Sequence, residues 1–288
     1  MLYDRSLTRN EPQYQEKYKI NIMKQKVAFI TGGTAGIGRR TALMLADKGY
    51  SIAIAGRNEE SGNQLVGQIR SYGGEAAYFR TDVSLENEVI ASVTSAINRY
   101  GHIDYLFNNA GIEGLLGPLE SNSEEIIDSV LSVNIKGILL FIKHVLPIMR
   151  KQKNGVIVNT ASFVGTTLPL PVAVVYGASK SAVVSITQSV AASCEVDNIK
   201  VFAVCPWVTD TSMADRLTGY DQNAKVAFGA SINPSGAIVP VDEIATAVFR
   251  LFEGKASLAN GDAILVDKNG ILNRINKMEV GDRISFKE

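Results

Sequence analysis

Cysteine, histidine and tryptophan are scarce in this chain: two, two and one in 288 residues. A pair of cysteines, Cys194 and Cys205, cannot staple a chain of this length, so a disulfide framework is excluded and both are expected to be buried and reduced. With only His102 and His144 beside them, a Cys/His metal centre is not expected. Charge of one sign is also lacking, because 29 basic residues meet 29 acidic ones and neither forms a block. That balance argues against nucleic acid and anionic membrane surfaces as partners and favours a small, uncharged one. No run approaches the roughly 18 apolar residues of a membrane span, and the N-terminus lacks the pattern of a secretory signal. The expected compartment is the cytoplasm.

What is present is an alternation of short apolar runs with longer amphipathic stretches. VAFIT at 27 precedes a helix over 36–48, and SIAIA at 51 precedes a helix over 59–71. AAYF near 76, a helix over 86–100, IDYLF at 103, a long helix over 124–150 and VIVNT at 156 continue the series. A helix from Tyr176 to about Glu195, KVFAV at 200, a helix over 241–253 and AILVD at 263 complete it. Alternation of this kind predicts an α/β, doubly wound parallel sheet of about seven strands, covered by helices on both faces in a single domain. The domain is placed at residues 23–267. Residues 1–22, polar and without period, read as a poorly ordered extension, with an oligomer arm or an alternative start codon as other readings. Residues 211–240 are irregular and suit a mobile loop or helical lid over the substrate site, with a plain surface insertion as the other reading, whereas 268–288 form an extension whose Lys-Asn-Gly signal fits a small hairpin or a segment packed on another subunit.

Three local patterns carry chemistry. Thr31-Gly32-Gly33-Thr34-Ala35-Gly36-Ile37-Gly38 joins a buried strand to a helix, the context in which glycines let a backbone approach a pyrophosphate. The end of the second strand, where NAD sites carry an acid for the ribose, reads Ala55-Gly56-Arg57. A guanidinium there suits a 2′-phosphate, so NADP is the preferred cofactor, with NAD possible. Arg39 either assists Arg57 or is an ordinary solvated helix residue. Finally, Tyr176 and Lys180 stand at i and i+4, on one helix face, fourteen residues after Ser162. A neighbouring ammonium is expected to lower the phenol pKa from about 10 and make Tyr176 an acid and base.

From residue 26 to residue 267 the chain resembles the short-chain dehydrogenase/reductase family, in its compact single-domain branch. The resemblance rests on TGGTAGIG at 31, Asp82-Val83, Asn108-Asn109-Ala110-Gly111, Asn134 in VNIKG, Ser162 in NTAS, YGASK at 176, and Pro206 leading to Thr211. It implies Asn134, Ser162, Tyr176 and Lys180 as catalytic residues, with Asn134 kinking its helix and holding a water that links the lysine to solvent. It also implies that Gly32, Thr34, Gly36, Ile37, Gly38, Arg57, Asp82, Val83, Asn109, Ala110, Gly111, Tyr176, Lys180, Pro206, Trp207, Thr209 and Thr211 line the cofactor site. Asp82 would hold the adenine amino group and Asn109 the adenosine end, while Asn108 is at least as well explained by a structural role.

Two departures from the family pattern stand out. Trp207 takes the place of a common glycine, so it narrows the pocket, stacks on substrate or turns outward into packing. The 13 residues between Ser162 and Tyr176 form a span often one residue shorter. Glu113, Phe163, Trp207 and Met213 are the expected substrate-pocket residues, joined by apolar Ile112, Leu115, Leu116, Val164, Leu168, Leu170 and Val172. The implied activity is NADP(H)-dependent hydride transfer at a carbonyl or secondary alcohol of a small, largely apolar substrate. Epimerisation, isomerisation or dehydration on the same scaffold, and an idle NADP-binding sensor, remain open alternatives. A homodimer or homotetramer through the helices of Glu124 and Tyr176 is implied. If Arg57 reads the 2′-phosphate, Arg57→Ala raises the Michaelis constant for NADPH about tenfold and leaves that for NADH nearly unchanged; an unchanged NADPH constant would refute the role.

Overall fold

The first strand, β1 (Val27–Thr31), is buried at all five positions, as a strand sandwiched between helix layers must be. It feeds α1 (Gly36–Asp47), β2 (Ser51–Gly56), α2 (Glu59–Ser71), β3 (Glu75–Arg80), α3 (Glu86–Tyr100) and β4 (Tyr105–Asn108). The second half runs through α4 (Glu124–Leu131), α5 (Gly137–Gln152), β5 (Gly155–Thr160), α6 (Val174–Ser193) and β6 (Ile199–Pro206). Two short helices, α7 (Ser212–Leu217) and α8 (Gln222–Ile232), then precede α9 (Val241–Phe252), β7 (Ala263–Asp267) and β8 (Gly270–Ile275). This computed structural model describes residues 25–275. The extension at 1–22 and the distal part of the one at 268–288 lie outside the described residues.

The sheet order is β3-β2-β1-β4-β5-β6-β7-β8, with every neighbour parallel except β7 and β8. The seven-stranded parallel sheet read from the sequence is therefore present, and an antiparallel eighth strand lengthens it. The Lys-Asn-Gly signal is the turn of that hairpin, with Asp267 paired to Gly270. Helices α1, α2 and α9 cover one face, and α3, α5 and α6 the other. Aromatic packing joins sheet and helix layer: Phe29 lies 5.3 Å from Phe141 and 6.2 Å from Phe79, ring centre to ring centre.

The order of strands reverses between β1 and β4, whose ends pair Thr31 with Asn108. At such a switch point the loops leave in opposite directions and open a crevice at the carboxyl edge of the sheet. Asn108, just beneath it, donates to Asn159 Oδ1 at 2.9 Å, a buried tie between β4 and β5 that fits the structural reading of this residue.

The single helix expected over 124–150 is three pieces. Between α4 and α5 the residues Ser132–Lys136 form a wide π turn around the fully buried Asn134. Helix α6 begins at Val174, two residues ahead of the expected Tyr176. The irregular stretch after Thr211 holds α7 and α8. Its return is pinned by Asn233, whose amide accepts from Val208 N (2.9 Å) and donates to Val208 O (2.9 Å) and Ala237 O (2.8 Å). Removing that side chain would leave buried backbone groups unpaired, so Asn233→Ala is predicted to cost about 2–4 kcal/mol in urea unfolding; a loss under about 0.5 kcal/mol would show the pin to be dispensable.

Candidate active site

A cleft of about 680 Å³ runs along the carboxyl edge of the sheet from Arg57 to the two short helices. Its first half is backbone. Gly32 has φ +61°, a left-handed conformation, and a Cβ there would stand 2.9 Å from Ala110 Cα. A Cβ on Gly38 would stand 2.3 Å from the Gly32 carbonyl oxygen, so only glycine lets α1 press against the loop. Helix α1 opens on Ala35, which supplies no side-chain cap, and its first turn holds no acid. The first N–H groups are thus left for an anion, the donor set a pyrophosphate needs.

Arg57, exposed at the end of β2, lines the same half of the cleft. Asp82 lies beside it. Burial alone would raise the Asp82 carboxyl, but the Ser84 hydroxyl and N–H, with Arg57 and Arg80 nearby, hold it below the usual range. Both Ser84 groups meet Oδ1, at 2.7 and 2.9 Å. Arg39, exposed on α1, donates to Gln68 Oε1 at 2.6 Å. Asn109 lines the cleft, and its Nδ2 donates to the Thr31 and Gly32 carbonyls, at 3.3 and 3.2 Å. It ties β4 to the glycine loop.

The middle of the cleft gathers Ser162, Tyr176 and Lys180. Ser162, from the loop after β5, accepts from Val164 N at 3.1 Å, which orients its hydroxyl. Lys180 is 2 % exposed, donates to Thr160 O at 2.8 Å and holds its ammonium 5.6 Å from the Tyr176 ring centre. Enclosure pushes the Tyr176 phenol up to about 12, the Ser162 hydroxyl offsets part of this, and the Glu113 carboxylate and Cys205 thiol add to it. Burial likewise lowers Lys180 to about 8, with Cys205 pulling weakly upward. The expected depression of the phenol by the lysine is therefore corrected: both groups are shifted toward their neutral forms, and loss of hydration is the largest cause for each.

Asn134 and Gly38 do not line the cleft. Asn134 sits behind it, donating to Ile112 O (2.9 Å) and Ser179 Oγ (3.0 Å) and accepting from Ile112 N (2.8 Å). A Cβ on Gly111 would lie 3.3 Å from both Asn134 Oδ1 and Lys180 Nζ, so this glycine keeps the space between amide and ammonium open.

The far half is apolar, with Ile112, Leu116, Phe163, Leu170, Val172 and Met213 among its walls. Trp207 is 8 % exposed and stacks on Phe163 with ring centres 4.7 Å apart. The indole is part of the cleft wall and also of the buried core. Leu115 and Leu168 are not in the wall; Leu115 points to solvent, 45 % exposed, and Leu168 packs on the core. Arg216 was not anticipated. It lines the cleft from α7, 103 residues from its partner Glu113, and a lone cation in an irregular stretch carries no local signal.

A phosphate cradle at a switch point, beside a hydroxyl, a phenol and an amine on one wall, defines a nicotinamide-dinucleotide oxidoreductase of the doubly wound class. Residues 26–221 match the family model for short chain dehydrogenase. Cyclopentanol dehydrogenase of Comamonas testosteroni is 33 % identical over 245 residues, which cover 85 % of this chain and 96 % of that one. The 2,5-dichloro-2,5-cyclohexadiene-1,4-diol dehydrogenase of Sphingobium indicum is 34 % identical over 243 residues, covering 84 % and 95 %. The crystal structure of levodione reductase superposes with a TM-score of 0.79 at 33 % identity, covering 85 % and 96 %. The chain belongs to the short-chain dehydrogenase/reductase family and is an NAD(P)-dependent oxidoreductase acting on CH–OH or C=O groups. Among the described residues no helix is long and apolar enough to cross a membrane.

Lys180 makes the site measurable without a substrate. Its pKa is about 8 in the fold against an ordinary 10.5, so between these values the unfolded chain holds a proton that the folded chain has released. Stability must rise with pH across that window, and the full cost of a buried ammonium is felt below it. Relative to Lys180→Met, the wild type should gain up to about 3 kcal/mol between pH 8 and 10.5 in urea unfolding. A pH-independent difference would rule out a buried, depressed lysine.

Proposed function

We propose that the protein interconverts a secondary alcohol and a ketone on a small, apolar, alicyclic substrate, using NADP(H) and with Tyr176 as acid and base. The observation that carries this reading is one continuous cleft with Arg57 and the glycine cradle at one end, apolar side chains at the other, and Ser162, Tyr176 and Lys180 between. The alicyclic class is supported by two relatives whose names specify ring alcohols. NADP is supported by Arg57 at the end of β2, where no carboxylate competes for the ribose.

The residues present fit a dinucleotide: a left-handed Gly32, a helix N-terminus free of side-chain caps and acids, and an arginine for the 2′-phosphate. Once bound, the nicotinamide supplies or accepts the hydride. Everything else is the protein's part. Ser162 and Tyr176 hold the substrate oxygen between two hydroxyl groups, which stabilise negative charge as it develops there. With its pKa raised to about 12, the phenol is protonated at neutral pH and is ready to donate to that oxygen during reduction. Lys180 then stabilises the phenolate, and the gap kept open by Gly111 gives a proton a route back past Asn134. Self-association through the helices of Glu124 (α4, running on into α5) and Tyr176 (α6) is part of the proposal, supported by solvent-facing Leu139 and Val174, 45 % and 44 % exposed.

Tyr176→Phe is predicted to lower kcat for reduction of cyclopentanone by about 10³-fold while leaving the NADPH dissociation constant, read by cofactor fluorescence, within about threefold of wild type. Reduction at the wild-type rate would end the assignment of Tyr176.

A further inference from the structure

Residues 210–238 leave the sheet after β6, cross the apolar end of the cleft and return to α9. The two ends of this segment are fastened together by Asp210 N to Val239 O (2.8 Å), Val239 N to Val208 O (2.9 Å) and the three bonds of Asn233. Its interior is one piece. Lys225 of α8 is 5 % exposed and bonds Asp210 and Asp215 at 2.7 and 2.6 Å, which locks α7 to α8. The segment is thus a preassembled flap with a narrow base.

Across the cleft, the flap meets the opposite wall through Arg216. Its Nε donates to Glu113 Oε1 at 2.6 Å and its Nη2 to Oε2 at 3.1 Å, a two-pronged pair. Glu113 stands in the loop after β4, four residues from Asn109 in the same wall as the glycine-loop contact, and lines the cleft that holds Tyr176. We propose that the Glu113–Arg216 pair is the latch of this flap and a specificity determinant: it closes the substrate end and selects uncharged substrates.

Three features support a latch over a permanent brace. Arg216 is 46 % exposed along its side chain, so the pair is reachable by water and salt and can part at each turnover, whereas Lys225, 7 % exposed along its side chain, is held by two carboxylates at once. The pair joins two segments that are each tied down by other hydrogen bonds, Ile112 to Asn134 on one side and Lys225 to Asp210 and Asp215 on the other. When it is closed, each charge is satisfied by the other, and the walls at that end are mostly apolar, with Ser162, Tyr176 and Lys180 beside them. An anionic substrate would have to take Arg216 from Glu113 and leave a bare carboxylate in the same cleft. This inference rests on the alcohol/ketone reading above. Glu113 and Arg216 are positioning residues here, acting through closure.

The test uses the full chain with NADPH and two ketones, cyclohexanone and 4-oxocyclohexanecarboxylate, together with hydrogen exchange of residues 212–232. Glu113→Gln frees Arg216 and should raise kcat/KM for the carboxylate relative to the neutral ketone by about tenfold. Arg216→Ala should raise KM for cyclohexanone several-fold more than it lowers kcat, and both single variants should speed exchange in the flap. The double exchange E113R/R216E should bring KM for cyclohexanone back to within about threefold of wild type and restore protection. A swap no better than either single variant, or an unchanged substrate ratio in Glu113→Gln, overturns the latch. If the wild type reduces neither ketone, the substrate reading fails on its own, and the exchange data still decide the latch: flap protection unaltered by Arg216→Ala refutes it.

Discussion

Asn134 is the joint on which the site depends. An asparagine amide carries a donor and an acceptor in the same plane as a peptide group, so it can replace a missing neighbour strand. Here it does so for Ile112, pairing both its N–H and its C=O, and gives its remaining N–H to Ser179. Three segments distant in the chain are fastened by one side chain with no exposed surface. The helix accommodates the amide by widening into a π turn, since an α-helical ladder has no room for a side chain that must face a loop on its flank. Loss of the clamp would leave two buried backbone groups unpaired and release the loop that carries Gly111 toward Lys180.

The second constraint is dielectric. Tyr176 and Lys180 share one wall of the cleft, and each moves toward its uncharged form because enclosure removes its hydration. In the proposed reaction this is useful. A neutral phenol is a proton donor at once, and a lysine near neutrality can both lend and regain a proton. The price in stability falls on the neutral-pH side, where the lysine must be charged in the unfolded chain but resists charge in the fold.

Much of the fold was legible because its signals are local. Burial on both faces makes β1, β2 and β7 continuous apolar runs, and amphipathic helices between them dictate crossovers, so order and parallel pairing follow. The glycine loop was readable because its glycines answer to close backbone approach within a few residues. What escaped depended on partners far along the chain. The π turn is invisible in periodicity because Asn134 is placed by Ile112 and Ser179. Arg216 is one more cation in an irregular stretch until folding carries it to Glu113. Asn109 lines the cleft, and the tie its Nδ2 makes to the Thr31 and Gly32 carbonyls is a second role that no local pattern announces. Leu115 and Leu168 have the composition of a pocket wall and miss the cleft because the loops bearing them turn away from it.

By itself, then, the order of residues determined the alternation of strands and helices, the position of the phosphate cradle, and the placement of Tyr176 and Lys180 on one helix face, since each follows from spacing of 2, 3.6 or a few residues along the backbone. The tertiary structure alone decided the proton affinities of that pair, the inward packing of Trp207 on Phe163, and the junction of Glu113 with Arg216. Those depend on what surrounds a group in three dimensions, on water removed and on charges brought across a cleft, and no local pattern encodes a neighbour 103 residues away.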